Sequence, residues 1–318
     1  MGEPSHYRSL DSFENGSGLS IHLAIGMFDG LHLGHRQVVA SAIEAASSAG
    51  GLAGVLTFWP HPSHLFNPND PVPMILNSQM KFAELDRLQI DFVIEEPFDR
   101  GFAAIEAEGF VEMLKDKVPG LASIHTGENW RFGKGRKGDV DLLRRSAKDS
   151  GISSRALDCL YLDGERVSST RIREAISGGK IEAANRLLGY TYESIGRVRE
   201  GEKVGQSIGS PTLNIPFDGE LFPRKGVYFV RVSKETGSER FPAVANFGVR
   251  PTVNALDRPV LEAHVLGECP FSYGDRLRVE WERFSRPERK FENLDSLKAQ
   301  IRKDIEQARA FYQVSGDG

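Results

Sequence analysis

Apolar residues between positions 21 and 188 follow two alternating periods. Short β-prone runs each precede a segment whose apolar residues recur every three or four positions. The strand-like runs lie at 21–25, 51–58, 90–98 and 121–127, and the helix-like segments at 35–49, 78–89, 106–118, 139–151 and 168–179. Strands that alternate with helices in this way predict an α/β fold with a doubly wound parallel sheet.

The pattern changes after Gly189. From Tyr192 to about Phe284 the chain consists of short strand-like runs and turns, and the next long helical pattern comes only at 294–312. Such a pattern predicts a small β-barrel followed by a C-terminal helix. We therefore expect one domain at 1–188 and a second at 189–318.

Composition narrows the classes of partner. The 318 residues are 40% hydrophobic and 26% charged, with a formal net charge of −4, so the chain has no bulk attraction for nucleic acid or an anionic membrane. No apolar run approaches the roughly 20 residues of a transmembrane helix. The two cysteines, Cys159 and Cys269, lie far apart in unrelated surroundings and do not indicate a disulfide framework. We expect a cytoplasmic protein that binds neither nucleic acid nor membranes.

Three glycines separate the first strand-like run from the first helix. Gly26, Gly30 and Gly34 punctuate this turn, and a helix N-terminus that follows a strand offers free backbone N–H groups and a positive dipole end to a phosphate. His32 and His35 add two imidazole groups that can donate hydrogen bonds and carry positive charge. A glycine turn kept for chain geometry is the simpler alternative. A metal site is a weaker one, because no third ligand follows at a zinc-like spacing.

Three later strings carry polar groups that suit a bound nucleotide. TFWPHP follows a strand at 57–62, a loop at 126–139 sets four basic residues among four glycines, and SSTRIR at 168–173 places hydroxyl groups and arginines at a helix start. Each has a structural alternative: a proline-stiffened loop, a solvated basic loop and an ordinary capped helix, respectively.

Together and in this order, the strings GMFDGLHLGH, TFWPHP, GENWRFG and SSTRIR resemble the N-terminal module of the bacterial bifunctional riboflavin kinase/FMN adenylyltransferases (FAD synthetases). The resemblance implies a Rossmann-like nucleotidylyltransferase domain that transfers AMP from ATP to the phosphate of FMN, yielding FAD and pyrophosphate. It implies catalytic roles for His32, His35 and Arg173, and flavin contacts from His61 and Pro62. The nucleotide-binding residues that it implies are Gly26, Phe28, Asp29, Gly30, Gly34, Asn129, Arg131, Ser168, Ser169 and Thr170.

In the second domain, the glycine-rich segment 196–215 ends in the string PTLN. Thr212 and Asn214 are two positions apart, so on an extended chain their side chains point to the same side. Their oxygens suit a hard cation such as Mg²⁺. A turn-rich barrel edge is the alternative.

Glu262 lies in the alternating string LEAHVL. It shares one face of the predicted strand with Val260 and His264, and the other face carries Leu261, Ala263 and Val265. A solvated strand carboxylate is the structural alternative to a chemical role for Glu262.

The strings KGVYFV, NFGVRPT, LEAHVL and RPERKF resemble, in this order, the riboflavin kinase module of the same family. The resemblance implies that Thr212 and Asn214 hold Mg²⁺ with ATP, that Glu262 is the general base and that Arg286 contacts the flavin. It adds Gly205 and Gly209 to the nucleotide-binding residues. Gln206 and Ser210 stand where this family commonly has an arginine and a phenylalanine, a change that favours weaker ATP binding.

The leading hypothesis is therefore a bifunctional enzyme whose partners are ATP, riboflavin, FMN and FAD, with flavins as substrate and product. A monofunctional FMN adenylyltransferase with an inactive, flavin-binding barrel is the second hypothesis, motivated by Gln206 and Ser210. A non-catalytic nucleotide- or RNA-binding protein is the third. The negative net charge and the lack of an aromatic-basic stripe on the barrel count against it.

Overall fold

The computed structural model describes residues 5–200, 212–248 and 259–314. The chain divides into two compact units, Met1–Ser169 and Thr170–Gly318. Within the described residues, no helix combines the length and the apolar character needed to cross a membrane.

The first unit is built on a six-stranded sheet in which every strand runs parallel to its neighbours, in the order β1-β4-β3-β2-β5-β6. The strands are β1 (Ser5–Tyr7), β2 (Ile21–Ile25), β3 (Leu52–Trp59), β4 (Phe92–Pro97), β5 (Leu121–Gly127) and β6 (Ser153–Leu157), and a small antiparallel pair follows, β7 (Tyr161–Leu162) with β8 (Glu165–Arg166). The helices are α1 (Leu33–Ala49), α2 (Pro62–Phe66), α3 (Ser78–Asp86), α4 (Arg100–Ala103), α5 (Phe110–Lys117) and α6 (Val140–Asp149). The predicted parallel α/β fold is confirmed.

Strand β2 lies inside the sheet. Strands β3, β4 and β1 follow it on one side, and β5 and β6 follow it on the other. The carboxyl ends of β2 and β5 therefore meet at a topological switch point, where ligands of open α/β sheets bind. Separate apolar clusters cover the sheet, one of them formed by β2, β3 and α1 with the end of α3.

The described residues of the second unit form six antiparallel strands in the order β10-β13-β12-β11-β14-β9. They are β9 (Glu193–Arg197), β10 (Leu213–Pro216), β11 (Gly226–Lys234), β12 (Phe241–Gly248), β13 (Val260–Val265) and β14 (Arg276–Pro287), and the helices are α7 (Ser169–Ser177), which begins one residue before this unit, α8 (Ile181–Leu188) and α9 (Leu294–Val314). An antiparallel bridge joins Arg199, two residues after β9, to Asn214 of β10 at the opposite edge. The sheet therefore closes nearly into the predicted barrel. Helix α9 packs on its outside through Ile305, Ala308 and Phe311.

Helix α8 contributes to the second unit through Asn185. The Asn185 Nδ2 group donates to the carbonyl of Trp281 at 2.8 Å, and its Oδ1 accepts from the backbone N–H of Tyr192 at 2.8 Å. This compact unit therefore begins before the boundary at 188/189 that the change of pattern predicts, a boundary that stays a prediction.

Candidate active sites

We call the turn between β2 and α1, residues 26–32, the phosphate turn, after the phosphate that the sequence predicts there. It has an unusual backbone, since Phe28, Gly30 and Leu31 have φ values of 48°, 78° and 37°. Two of these three residues are not glycine, and such conformations cost of order 1–3 kcal/mol each unless the surroundings enforce them. Phe28 and Leu31 are 1% and 0% exposed, so the apolar core anchors the strained residues.

His32 is the N-cap residue of α1. Its Nδ1 accepts the backbone N–H of His35 at 3.2 Å, and the two rings stack with their centroids 3.6 Å apart. Phe28 meets the His35 ring edge-on at 5.4 Å. The two histidines predicted from the sequence are therefore brought together as one stacked pair at the helix N-terminus.

The His32 ring is neutral near pH 7, because burial lowers its pKa to about 4. A neutral imidazole whose Nδ1 accepts a hydrogen bond carries its proton on Nε2. His32 can therefore donate one hydrogen bond from Nε2, but as a neutral group and not as the cation that its residue type allows.

The SSTRIR string begins beside the phosphate turn. The hydroxyl of Ser169, the first residue of α7, donates to the backbone carbonyl of Asp29 at 3.0 Å. The Asp29 carboxylate accepts the backbone N–H of Ile75 at 2.9 Å, so this predicted nucleotide ligand also has a structural role. Ser168 is half-buried next to Ser169, whereas Thr170, Arg171 and Arg173 continue along α7 in the second unit.

The loop after β5 is anchored by aromatic rings and presents polar groups to solvent. Trp130 stacks on Phe132 with the ring centroids 4.6 Å apart. Asn129 and Arg131 on either side of Trp130 are exposed, and the Arg131 guanidinium lies 3.2 Å from the Asp139 carboxylate. The two predicted nucleotide ligands of this loop thus stay accessible on a fixed backbone.

The TFWPHP string leads from β3 into α2. His61 caps that helix, with its Nδ1 accepting the backbone N–H of Ser63 at 3.1 Å, and Pro62 is the first helical residue. The ring of Phe66 at the end of α2 is 68% exposed and lies 6.1 Å from that of Phe98, which packs in turn on Phe58. An accessible aromatic surface therefore adjoins the two predicted flavin contacts.

Three predicted site residues of the second unit, Asn214, Glu262 and Arg286, lie in one row across the sheet. The strand register pairs Asn214 with Glu262, Glu262 with Asn246, Asn246 with Val227, and Val227 with Arg286. Directly paired residues of antiparallel strands project to the same face. We call these five residues the Glu262 row.

Within this row Glu262 stands between two amides. Asn214 is buried and Asn246 is half-buried, and the Asn246 Nδ2 group lies 3.3 Å from the Glu288 carboxylate. The predicted alternation of β13 is confirmed, since Leu261, Ala263 and Val265 are buried whereas Glu262 is half-buried. Asn246 was not among the predicted site residues. The string NFGVRPT contained it, but only the register reveals that it faces Glu262.

Arg286 also lies in the row, and helix α9 holds its side chain. Its Nε and Nη2 groups donate to the two carboxylate oxygens of Asp304 at 2.9 and 2.6 Å. Gln300 donates to the same carboxylate at 2.7 Å. These contacts give Arg286 a structural role in docking α9, and its contact with flavin stays a prediction.

Thr212 is exposed and immediately precedes β10. The predicted nucleotide ligands Gly205 and Gly209, and the unusual residues Gln206 and Ser210, lie outside the described residues. In the described part of the chain, no group of three or more His, Cys, Asp or Glu side chains could hold a metal ion.

Comparison with known proteins finds one family in the N-terminal part of the chain and another in the C-terminal part. A family model described as FAD synthetase matches residues 18–171, and one described as riboflavin kinase matches residues 188–312. A curated Haemophilus influenzae protein named bifunctional riboflavin kinase/FMN adenylyltransferase is 37% identical over 91% of this chain and 94% of its own length. Its Escherichia coli namesake is 36% identical over 92% of this chain and 93% of its own length. The chain belongs to this family.

A solved structure resembles nearly the whole chain in fold. A solved Streptococcus pneumoniae structure, titled as a macrolide-efflux protein, has a TM-score of 0.87 and 26% identity, and the match covers 97% of this chain and 99% of that one. Its title names a different activity from the curated relatives, whose names agree with both family models.

Proposed function

We propose that this chain phosphorylates riboflavin to FMN with ATP and adenylylates FMN to FAD with a second ATP, releasing pyrophosphate. The observation that carries the proposal is that the two units each hold their own polar site. The first unit has a stacked histidine pair at a helix N-terminus, and the second has a carboxylate between two amides. Both sites lie in the segments that the two family models match.

Adenylyl transfer needs no activated side chain, because FMN brings its own phosphate nucleophile. A phosphate oxygen of FMN attacks the α-phosphorus of ATP, the bond from that phosphorus to the β-phosphate oxygen breaks, and pyrophosphate leaves. Catalysis then depends on positioning and on stabilising negative charge in the transition state. The N–H groups of the phosphate turn, the neutral His32 ring and the His35 side chain donate to the phosphates. The catalytic role that the family resemblance implies for Arg173 stays a prediction.

The remaining first-unit residues hold the two substrates. Asn129, Arg131 and the hydroxyl groups of Ser168 and Ser169 bind the nucleotide, whereas His61 and Pro62 contact the flavin. The accessible Phe66 ring supports this assignment, because an aromatic face suits the flat isoalloxazine system. Asp29 acts by shaping the turn, since its carboxylate is engaged with backbone N–H groups.

In the kinase reaction Glu262 accepts the proton of the riboflavin 5′-hydroxyl as that oxygen attacks the γ-phosphorus of ATP, and ADP leaves. The oxygens of Thr212 and Asn214 fit Mg²⁺, since Thr212, just before β10, offers a hydroxyl and Asn214 within β10 offers an amide oxygen. Bound there with ATP, Mg²⁺ would neutralise phosphate charge. Asn214 and Asn246 pair with Glu262 from the two neighbouring strands.

One incubation tests the proposal against its alternatives. Purified protein is incubated with riboflavin and Mg-ATP, and the flavins are separated by chromatography. We expect FMN and FAD to accumulate, and a chelator in excess of Mg²⁺ to stop both. FAD formed only from added FMN would support the monofunctional alternative instead, and no turnover of either flavin would contradict enzymatic function altogether.

A further inference from the structure

Lys81 on α3 is a buried cation at the carboxyl edge of the first-unit sheet. Its side chain is 1% exposed, and its ammonium lies 3.1 Å from the Thr57 hydroxyl and 3.3 Å from the Glu95 carboxylate. Thr57 and Glu95 are directly paired residues of β3 and β4. Burying a charge costs several kcal/mol before pairing offsets it, and neither predicted reaction used this lysine.

The hydrogen bonds of Thr57 connect this cation to the phosphate turn. Thr57 is fully buried, accepts from Lys81 and donates its own proton to the backbone carbonyl of Met27 at 3.1 Å. Met27 immediately precedes Phe28, the first residue of the turn with positive φ. The chain of contacts therefore runs from α3 through β3 to the strained backbone.

Two further contacts join the same helix region to the turn. The backbone N–H of Ile75, just before α3, donates to the Asp29 carboxylate at 2.9 Å. Arg36 donates from Nε to the carbonyl of Leu31 at 3.0 Å and from Nη2 to the buried Glu84 of α3 at 2.5 Å. Residues 75–84 are thus linked to the start, the middle and the end of the turn, and we call this segment the α3 brace.

We propose that Lys81 is a positioning residue for adenylyl transfer, which acts through the Thr57 hydroxyl to hold the Met27 carbonyl and with it the shape of the phosphate turn. The inference rests on the proposed function, because it concerns the same reaction. Phe28 and Leu31 keep unfavourable conformations only while their surroundings enforce them. A turn that relaxes withdraws its N–H groups from the phosphates, and small displacements of such donors cost much of the rate.

Burial lowers the pKa of the Lys81 ammonium, and the nearby Glu95 carboxylate opposes this shift. Removing the lysine alone would leave Glu95 without its cation and could destabilise the fold for that reason only. The decisive variants are therefore made at Thr57, which is uncharged.

Thr57→Val and Thr57→Ser form a matched pair. Valine keeps the shape of threonine and removes the hydroxyl, whereas serine keeps the hydroxyl and removes the methyl group. We expect kcat/KM for FMN adenylylation to fall at least tenfold in Thr57→Val and to stay within about threefold of wild type in Thr57→Ser. Riboflavin phosphorylation by the same preparations, and their Tm, serve as references. Equal adenylylation by the two variants would overturn the proposal.

A double-mutant cycle then tests the path from Lys81. If Lys81 acts through Thr57, Lys81→Met should add little to the loss already present in Thr57→Val. Losses that multiply would show that Lys81 acts independently, and would overturn the assigned path. If Lys81→Met does not fold, the Thr57 pair alone decides. A wild-type chain that forms no FAD would refute the proposed function itself, an outcome distinct from equal Thr57 variants.

Discussion

Glu262 and Asn246 are directly paired across β13 and β12, and their side chains share one face of the barrel sheet. Asn214 pairs with Glu262 from the opposite side. Glu262 therefore has an amide residue beside it on each neighbouring strand, a polar setting for the proposed base of the kinase reaction.

Changing Glu262→Gln should abolish riboflavin phosphorylation and leave FMN adenylylation intact. Glutamine keeps the size of glutamate but cannot accept the proton, and general-base catalysis is worth about 10²–10⁴ in rate. The assay is riboflavin turnover with saturating Mg-ATP. Glu282→Gln is the matched control, because Glu282 pairs with Arg231 in the same sheet. A loss below about threefold in Glu262→Gln would exclude it as the base.

Changing His35→Ala should abolish FAD formation while riboflavin phosphorylation continues. The variant removes a proposed donor to the phosphates and the stacking partner of His32. The loss of one such donor costs on the order of 10²–10³ in rate. Both activities are measured on one preparation. His6→Ala, on the edge strand of the same unit, is the control. Equal losses in the two activities would contradict the assignment of one site to each unit.

A buried chain of histidines and serines makes the first unit sensitive to acid. His22 Nδ1 lies 2.7 Å from the Ser123 hydroxyl, which lies 2.8 Å from His125 Nε2, and Ser41 lies 2.8 Å from His125 Nδ1. Burial lowers the pKa of His125 to about 4, with contributions from His22 and Arg155. Burial also lowers the pKa of His22.

The free energy of unfolding should therefore fall as the pH is lowered from about 6.5 to about 4. In that window the unfolded chain, with ordinary histidines of pKa about 6.5, binds more protons than the folded chain. Urea unfolding at about pH 7 and pH 5 measures the change. His125→Asn should flatten the dependence without removing it, since His32 has a similarly low pKa. An unchanged slope would mean that His125 does not titrate in this way.

A fragment that begins at residue 170 should fold and phosphorylate riboflavin, and should be more stable than one that begins at residue 189. The shorter fragment loses α8 and both hydrogen bonds of Asn185. A buried carbonyl left without its donor costs about 1–3 kcal/mol. Urea unfolding of both fragments, and of Asn185→Ala in the full chain, checks this expectation. Equal stability of the fragments would place the boundary near 188/189.

The sequence predicted features that depend on local patterns. Alternation placed Glu262 on the partly exposed face of β13, and glycine punctuation together with helical spacing placed His32 and His35 at the start of α1. Strand β6, with the string SSRAL, was not predicted, because its residues show no apolar period. None of its residues is fully buried.

Features that depend on distant pairing could not be read from one sequence. Asn246 faces Glu262, and Arg286 pairs with Asp304, only because of strand register and helix docking. The neutral state of His32 follows from its burial, which its residue type does not reveal. Lys81 lay in a predicted amphipathic helix, where a lysine normally faces solvent.

The alternation of β13 also makes the position of Glu262 depend on the correct strand register. A slip of the strand by one residue would exchange its two faces, so that Glu262 would enter the barrel interior and Leu261 or Ala263 would take its place in the row. Such a chain would bury an unpaired carboxylate, which proteins tolerate poorly. A barrel in the correct register is therefore the more stable one, and in that register Glu262, the proposed base, lies on the partly exposed face of β13.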